Sequence, residues 1–399
     1  MKVEKIGTWG TMWLWIGAAV SIAEIMTGAL FAPLGIEEGL TAMLVGRGIG
    51  VCILLAAGYV GAKSGRNAME SVEISFGKFG RIGFSVLNVL QLVGWTAVMI
   101  VSGASGVALL VESGDPVVKP AGTVGIGVLI ALWLFMKASK LIRVNSVIVI
   151  LLAICCAYVT WRIFTFEGIA HAPLGEMSFG TAVELSVAMP LSWIPLIADY
   201  SKEGKNPVRS NLVGALSYGV GGFWMSAVGL ASAVYTGYAD VAALMGYMGL
   251  GAIGFFIVVL STVTTTYLDV KSGVISYGSV SKVPGEKTTG LAIILLGVGI
   301  ALFADEALYI NFLYYIGSCF APMVGVMLTD YFLLRNTEPK GKALMLRNTL
   351  VWLTGFVGYR YLIEASHVGF DTPIGISIPV IFGVGVLAYV SGRVFSGGR

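Results

Sequence analysis

The sequence predicts an all-α polytopic membrane protein of about twelve transmembrane helices, and three observations support this. Hydrophobic residues make up 57% of the 399 residues and charged residues only 12%, whereas about a quarter of the residues in a soluble domain are charged. The apolar residues form repeated runs of the roughly 20 residues that cross a bilayer core. The 54 glycines suit helices that pack closely or break within a membrane.

Apolar runs and polar breaks place twelve spans along the chain. Spans one to six are expected at residues 9–31, 41–61, 83–111, 122–136, 144–163 and 179–198. Spans seven to twelve are expected at residues 212–235, 241–270, 291–303, 309–334, 349–362 and 374–390. The loops between them are too short for a soluble catalytic or nucleic-acid-binding domain, so we expect the function to lie within the helical bundle.

Basic residues are concentrated in the loops on one side of these spans. The loops after spans two, four, six, eight and ten, together with the C-terminal tail, contain Lys63, Arg66, Lys78, Arg81, Lys137, Lys140, Arg143, Lys202, Lys205, Arg209, Lys282, Lys287, Arg335, Lys340, Lys342, Arg347, Arg393 and Arg399. The opposite loops contain Lys119, Arg162 and Arg360. The positive-inside rule therefore places both termini in the cytoplasm, with the chain in the inner or plasma membrane.

The composition also argues against several functional classes. The net charge of +3 is too small to indicate a nucleic-acid partner. The cysteines lie in apolar runs and form no Cys/His cluster, so neither a disulfide framework nor a zinc site is expected: Cys52, Cys155, Cys156 and Cys319. The sequence motifs of serine hydrolases, zinc proteases and P-loop enzymes are missing, so we do not expect an enzyme. A channel remains open as an alternative.

Span one combines a glycine, a hydroxyl and an acid on one helical stripe. Gly17, Val20, Ser21 and Glu24 are spaced at i, i+3, i+4 and i+7. A charged residue at the centre of a span costs about 2.5–3.5 kcal/mol on insertion scales, so such residues are usually functional. We therefore predict that Glu24 binds a solute or an ion. The alternative is close helix packing, with Glu24 tied to another helix.

Span six contains Glu184 and two prolines, Pro190 and Pro195. Proline removes a backbone donor and breaks the helical hydrogen-bond ladder. Carbonyls freed in this way are tolerated in a membrane only where they line a cavity or find other partners. The pattern predicts an interrupted helix, and a simple kink is the alternative.

Span eight contains five hydroxyl residues followed by an acid: Ser261, Thr262, Thr264, Thr265, Thr266 and then Asp269. Hydroxyl and carbonyl oxygens suit a hard cation such as Na⁺. The alternatives are hydroxyls that bond back to their own helix and an Asp269 that pairs with Lys271. Span three places Trp95, with Gln91, Met99 and Ser102, on a stripe where the indole could stack on a flat ring or simply pack.

Spans one and six are both interrupted. Paired broken helices of this kind are typical of secondary transporters, whose binding site lies near the bilayer midplane. An odd number of spans per copy inverts the second repeat. We therefore predict three units: a first five-helix repeat at residues 1–170, an inverted repeat at 171–336, and peripheral helices eleven and twelve at 337–399.

The chain resembles the nucleobase-cation-symport-1 family along nearly its whole length, and more closely the hydroxymethylpyrimidine permease (CytX-type) branch. The residues that carry the resemblance are Gly7-Thr8-Trp9-Gly10, Leu14 to Ser21, Thr27-Gly28, Gly61 to Gly65, Phe76 to Gly80, Gly94-Trp95, Ala198-Asp199-Tyr200-Ser201, Thr264-Thr265-Thr266 and Thr329-Asp330-Tyr331-Phe332. The resemblance implies a LeuT-like 5+5 inverted-repeat fold, with helices eleven and twelve added. It also implies uptake of a planar heterocycle.

The resemblance further implies a cation site made of backbone carbonyls and side-chain hydroxyls from Gly17, Val20, Ser261, Thr264 and Thr265. The coupling ion, Na⁺ or H⁺, stays open. The substrate-binding residues it implies, together with those predicted above, are Ser21, Glu24, Trp95, Met99, Trp193, Thr266 and Asp269. Met99 replaces a family glutamine and Thr266 an asparagine, whereas Trp193 lies one turn beyond the position of the second stacking aromatic.

These departures remove two amides from the site, and the carboxylates of spans one and eight take over the polar contacts. An aminopyrimidine presents an N–H donor beside a ring nitrogen, an edge that the carboxyl group of Glu24 or Asp269 could meet with two hydrogen bonds. We therefore expect a symporter for hydroxymethylpyrimidine, a thiamine precursor, that works by alternating access in the lipid bilayer. Cytosine, uracil, allantoin and hydantoin are the alternative substrates. The sequence gives no indication of the oligomeric state.

Overall fold

The computed structural model describes residues 5–111, 115–136, 138–165, 175–237, 251–304, 309–339, 341–366 and 372–396. Within these ranges the regular structure is helical, apart from one isolated parallel bridge between Ile6 and Gly204. The first helices are α1 (Thr8–Ala19), α2 (Ile22–Ala29), α3 (Gly35–Ser64), α4 (Ala68–Leu110), α5 (Val118–Leu134), α6 (Ala138–Phe164) and α7 (Phe179–Ser192). They continue as α8 (Ile194–Ser201), α9 (Pro207–Thr236), α10 (Gly251–Gly278), α11 (Glu286–Ala301), α12 (Tyr309–Leu328), α13 (Lys342–Ser366) and α14 (Ser377–Ser396).

The predicted spans all fall on helices, which confirms an all-α polytopic membrane protein. Span one comprises α1 and α2, and span six comprises α7 and α8. The first residues of predicted span eight, 241–250, lie outside the described residues. Among the described residues, eight helical segments are long and apolar enough to cross a bilayer by themselves. The remaining spans lie on shorter or more polar helices, such as α5 and α11. The division into repeats stays a prediction, and its boundary at residue 170 lies outside the described residues.

Span one breaks between α1 and α2 because its backbone donors turn to new acceptors. The Ser21 amide bonds to the Ala19 carbonyl at 2.9 Å, and the Glu24 amide bonds to the Ser21 hydroxyl at 3.3 Å. In a continuous helix these two amides would bond to the carbonyls of Gly17 and Val20. The break therefore frees both carbonyls in the middle of the span.

Span six breaks at Trp193, between α7 and α8. The Leu196 amide bonds to the Trp193 carbonyl at 3.0 Å, so the Ser192 carbonyl lacks its helical donor. The side-chain amide of Gln91 on α4 donates to that carbonyl at 2.8 Å. The predicted interruption is thus present, and α4 supplies the hydrogen bond that the broken helix lacks.

A short amphipathic segment, residues 68–76, forms the start of α4, which then bends at Gly77 (φ +66°). We call this segment the loop helix. Its first amide, that of Ala68, donates to a carboxylate oxygen of Asp199 on α8 at 3.0 Å. Near its other end, the carbonyl of Ser75 accepts from the side-chain amide of Asn348 on α13 at 2.7 Å. The loop helix is therefore tied to spans six and eleven.

Glu184 joins α7 to the last two spans. Its carboxylate accepts hydrogen bonds from the Tyr359 hydroxyl at 2.5 Å, from the Ser377 hydroxyl at 2.6 Å, and from the amides of Ile376 and Ser377 at 2.7 Å each. The two amides lie at the N-terminus of α14, where a negative charge is stabilised by the helix dipole. This acid, conspicuous in the sequence, thus holds α13 and α14 against the bundle.

We predict that Glu184→Ala lowers the free energy of unfolding by about 3 kcal/mol or more, because several buried donors lose their acceptor together. Thermal unfolding of the purified protein, followed by tryptophan fluorescence, measures the change. The control is Glu364→Ala on α13, which removes an exposed carboxylate 3.8 Å from Arg360 and should change stability by less than about 1 kcal/mol. Equal losses in the two variants would contradict the anchoring role of Glu184.

Candidate functional site

A cavity lies where the breaks in spans one and six face α4, α9 and α10. Its walls lie close together and leave room for little more than one water molecule. The residues that line it are Ala18, Ser21, Ala23, Trp95, Met99, Met189, Ser192, Trp193, Tyr218, Thr265 and Asp269. The two interruptions predicted from glycine and proline therefore meet at one cavity.

Two tryptophans lie in the cavity wall. Trp95 on α4 makes edge-to-face contacts with Tyr309 and Phe312, with ring centroids 6.1 and 5.4 Å apart. Among the described residues, none accepts a hydrogen bond from its indole N–H. Trp193 lies at the break of span six, 5.3 Å from the Trp15 ring. The structure thus places both predicted aromatics at the cavity, along with Met99 and Ser21.

Asp269 supplies an acid to the same cavity. It is 4% exposed, and none of the described residues forms an ion pair or hydrogen bond with its carboxyl group. Lys271, the alternative partner considered above, pairs instead with Glu203 at 3.3 Å. A buried acid without a partner is costly, and this cost makes Asp269 the strongest candidate for a ligand-binding residue.

Glu24 lies outside the cavity lining, contrary to the substrate contact expected for it. Its carboxylate forms a buried ion pair with Arg47 on α3, in which both guanidinium nitrogens Nη1 and Nη2 donate. The hydroxyls of Tyr218 and Ser226 on α9 also donate to it, at 2.6 and 3.0 Å. This geometry matches the alternative given above, in which Glu24 is tied to another helix.

Two threonines of span eight also lie away from their expected positions. The Thr266 hydroxyl donates to the carbonyl of Thr262 on its own helix at 2.6 Å, and Thr266 does not line the cavity. The Thr264 hydroxyl donates to the carbonyls of Leu260 and Ser261 at 2.8 and 3.1 Å. Both hydroxyls bond back to α10 because a helical carbonyl one turn earlier is the nearest acceptor in an apolar setting.

Four oxygens of the predicted cation site form two pairs between the break of span one and α10. The Ser261 hydroxyl donates to the freed carbonyl of Val20 at 2.8 Å, and the Thr265 hydroxyl lies 3.5 Å from the freed carbonyl of Gly17. Because a hydroxyl can turn its proton away, these four oxygens can all offer lone pairs to a hard cation. The residues present therefore fit Na⁺, without a contribution from the Thr264 hydroxyl.

Contacts close the cavity on both sides. On the side where α1 begins, the Ile6 amide bonds to the Glu203 carbonyl at 3.0 Å, and the rings of Trp15 and Tyr200 are 5.9 Å apart. On the side where α2 ends, the hydroxyls of Thr27 and Tyr309 are hydrogen-bonded at 2.9 Å. Among the described residues, these contacts narrow the way to the cavity from either side.

Sequence reasoning missed Arg47, Tyr218, Met189 and Ser192. Arg47 carried a usable signal, because a basic residue inside an apolar span needs an acidic partner and Glu24 lies in the neighbouring span. Met189 and Ser192 could have been inferred from their place beside the break of span six. Tyr218 gave no signal, because a single tyrosine in an apolar span is ordinarily a packing residue.

Residues 4–389 match the family of permeases for cytosine/purines, uracil, thiamine and allantoin. The chain is similar to the cytosine permease of Escherichia coli O157:H7, at 26% identity over 334 residues that cover 80% of this chain and 77% of the relative. It is also similar to the cytosine permease of Escherichia coli strain K12, at 25% identity over 333 residues with the same coverage.

Solved transporters share the fold. Mhp1, a nucleobase-cation-symport-1 family transporter, matches in a closed conformation with bromovinylhydantoin bound (TM-score 0.75, 18% identity, 99% of this chain and 94% of Mhp1). It also matches in an inward-facing conformation (TM-score 0.76, 16% identity, 99% and 92%). A Na⁺-coupled sialic acid symporter matches with a TM-score of 0.65 and 13% identity, over 98% of this chain and 90% of that one. The chain is therefore a membrane transporter, not an enzyme, and belongs to the nucleobase-cation-symport-1 family.

Proposed function

We propose that this permease imports an aminopyrimidine together with Na⁺, and that its substrate is hydroxymethylpyrimidine, as in the CytX-type branch. The observation that carries the proposal is Asp269, a buried acid that faces the cavity without a partner among the described residues. An amino group beside a ring nitrogen offers such an acid two hydrogen bonds, and protonation of the ring nitrogen adds a charge interaction. Substrate binding would thereby compensate the cost of burying Asp269.

The remaining walls suit a flat ring with few polar edges. Trp95 and Trp193 offer aromatic faces, on which a heterocycle can stack. The thioether of Met99 offers only a weak acceptor, where an amide would pair with a carbonyl–NH–carbonyl edge. This arrangement favours an aminopyrimidine over uracil, allantoin or hydantoin.

Cytosine is the second candidate, because the chain is similar to proteins named cytosine permeases. Cytosine also carries an amino group beside a ring nitrogen, so Asp269 could bind it in the same way. It adds a ring carbonyl, whose acceptor would need a donor. The Ser21 hydroxyl lines the cavity and accepts from the Glu24 amide, so its own proton can be donated to that carbonyl.

The coupling ion in this proposal is Na⁺, held by the carbonyls of Gly17 and Val20 with the hydroxyls of Ser261 and Thr265. The positive charge of the ion would offset the partial negative charges of these carbonyl oxygens at the break between α1 and α2. The side on which α1 begins is cytoplasmic in this proposal, because the basic loops lie there, and the membrane is the inner or plasma membrane.

Purified protein should gain thermal stability from hydroxymethylpyrimidine and, to a smaller extent, from cytosine, because a ligand that binds the folded state raises its apparent stability. Allantoin should have no effect. In proteoliposomes, uptake of labelled hydroxymethylpyrimidine should saturate and follow the Na⁺ gradient. Stabilisation by allantoin alone would contradict the aminopyrimidine assignment, and flux that does not saturate would favour a channel.

Asp269→Asn should abolish pyrimidine binding while raising the free energy of unfolding by about 1 kcal/mol or more, because a buried acid without a partner is removed. Isothermal titration and thermal unfolding measure the two effects on one sample. A loss of stability together with retained binding would show that Asp269 has a structural role instead.

Thr265→Val should weaken the response to Na⁺ at least about tenfold, because it removes one of few oxygen ligands. The matched control is Thr266→Val, which removes a neighbouring hydroxyl that bonds to its own helix. The measurement is the Na⁺ concentration that gives half-maximal pyrimidine binding. Equal responses in the two variants would overturn this cation site, and dependence on pH instead of Na⁺ would indicate proton coupling.

A further inference from the structure

The Glu24–Arg47 ion pair lies behind the cavity wall. Both side chains are buried, with residue exposures of 0% and 3%, and neither lines the cavity. Gly222 on α9 leaves the space they occupy, since a Cβ there would lie 2.7 Å from Arg47 Nη1. The pair is thus enclosed by α2, α3 and α9.

The hydrogen bonds to Glu24 fill the capacity of its carboxylate. Oε1 accepts from Arg47 Nη1 at 2.9 Å and from the Tyr218 hydroxyl at 2.6 Å. Oε2 accepts from Arg47 Nη2 and from the Ser226 hydroxyl. An ionised carboxylate has about four lone-pair sites. Glu24 therefore has no acceptor left for a substrate unless one of these bonds breaks.

Tyr218 connects this pair to the cavity. Its hydroxyl bonds to Glu24, its ring lies 5.8 Å from the Arg47 guanidinium, and Tyr218 itself lines the cavity. On the cavity side, the ring centroid lies 5.6 Å from that of Trp193. Trp193 lies at the break of span six, where the main chain does not fix it through a continuous helix.

We propose that Glu24 and Arg47 are positioning residues: they fix the Tyr218 hydroxyl, and the Tyr218 ring holds Trp193 in the cavity wall. Substrate affinity then depends on an ion pair that never touches the substrate. This inference rests on the proposed function, since it assumes that the cavity binds a pyrimidine. It replaces a direct contact between Glu24 and the substrate.

The test compares Glu24→Gln, Tyr218→Phe and the double variant. One readout is the Kd for hydroxymethylpyrimidine, with cytosine as a second probe. The other needs no ligand: the ¹⁹F resonance of Trp193 in protein containing 5-fluorotryptophan, assigned by its loss in Trp193→Phe. Each single variant should raise Kd about tenfold and shift the Trp193 resonance. The double variant should bind no more weakly than Tyr218→Phe alone, because both changes break one connection.

The matched control is Glu184→Gln, which alters another buried carboxylate that accepts from a tyrosine hydroxyl but lies outside the cavity lining. It should leave both readouts unchanged. If Glu24→Gln does not fold, the neutral pair Glu24→Gln/Arg47→Gln takes its place. An unshifted Trp193 resonance in the Glu24 variant, or a loss of about a hundredfold in the double variant, would overturn the proposal. If the wild-type protein binds neither pyrimidine, the proposed function fails, and the ligand-free resonance still decides the positioning role.

Discussion

A helix that breaks inside a bilayer must find partners for the backbone groups that it releases, because no water is there to take them. Spans one and six meet this constraint differently. In span six, the side-chain amide of Gln91 takes the freed carbonyl of Ser192. In span one, the freed carbonyls of Gly17 and Val20 face hydroxyls of α10, whose protons can turn away to admit a cation. The same constraint thus gives span six a carbonyl that is satisfied by a side chain, and gives span one a candidate ion site.

Three buried acids show how partners decide the role of a charge. Glu184 is saturated by donors from α13 and α14, and Glu24 by Arg47 and two hydroxyls. Both are therefore structurally committed. Asp269 has no such set among the described residues, so the folded protein carries the cost of burying it, a cost that the proposed substrate would offset. Because Arg47 balances Glu24, the cavity keeps a single acidic group, which favours ligands rich in N–H donors or positive charge.

The spans, the two interruptions and the cavity face of α10 could be predicted from the sequence, because composition, glycine and proline placement, and helical periodicity are local properties. Periodicity also placed Asp269 and Trp95 on their stripes. The partner of Glu24 was not predictable from its own span, since it depends on how α3 and α9 pack beside α2. Thr266 shows the limit of periodicity: a hydroxyl one residue from Thr265 points about 100° away around the helix and bonds to its own backbone.

The loop helix is hydrogen-bonded at one end to Asp199 of span six and near the other to Asn348 of span eleven. It therefore sets the distance between these two attachment points. Its nine residues (68–76) span about 13 Å at the rise of an α-helix, and a helix this short does not stretch. Spans six and eleven can therefore tilt or turn about its ends, but they cannot separate on this face without breaking one of the two bonds. Opening of the cavity toward this side is then restricted to a hinge-like rotation in which the loop helix keeps its length.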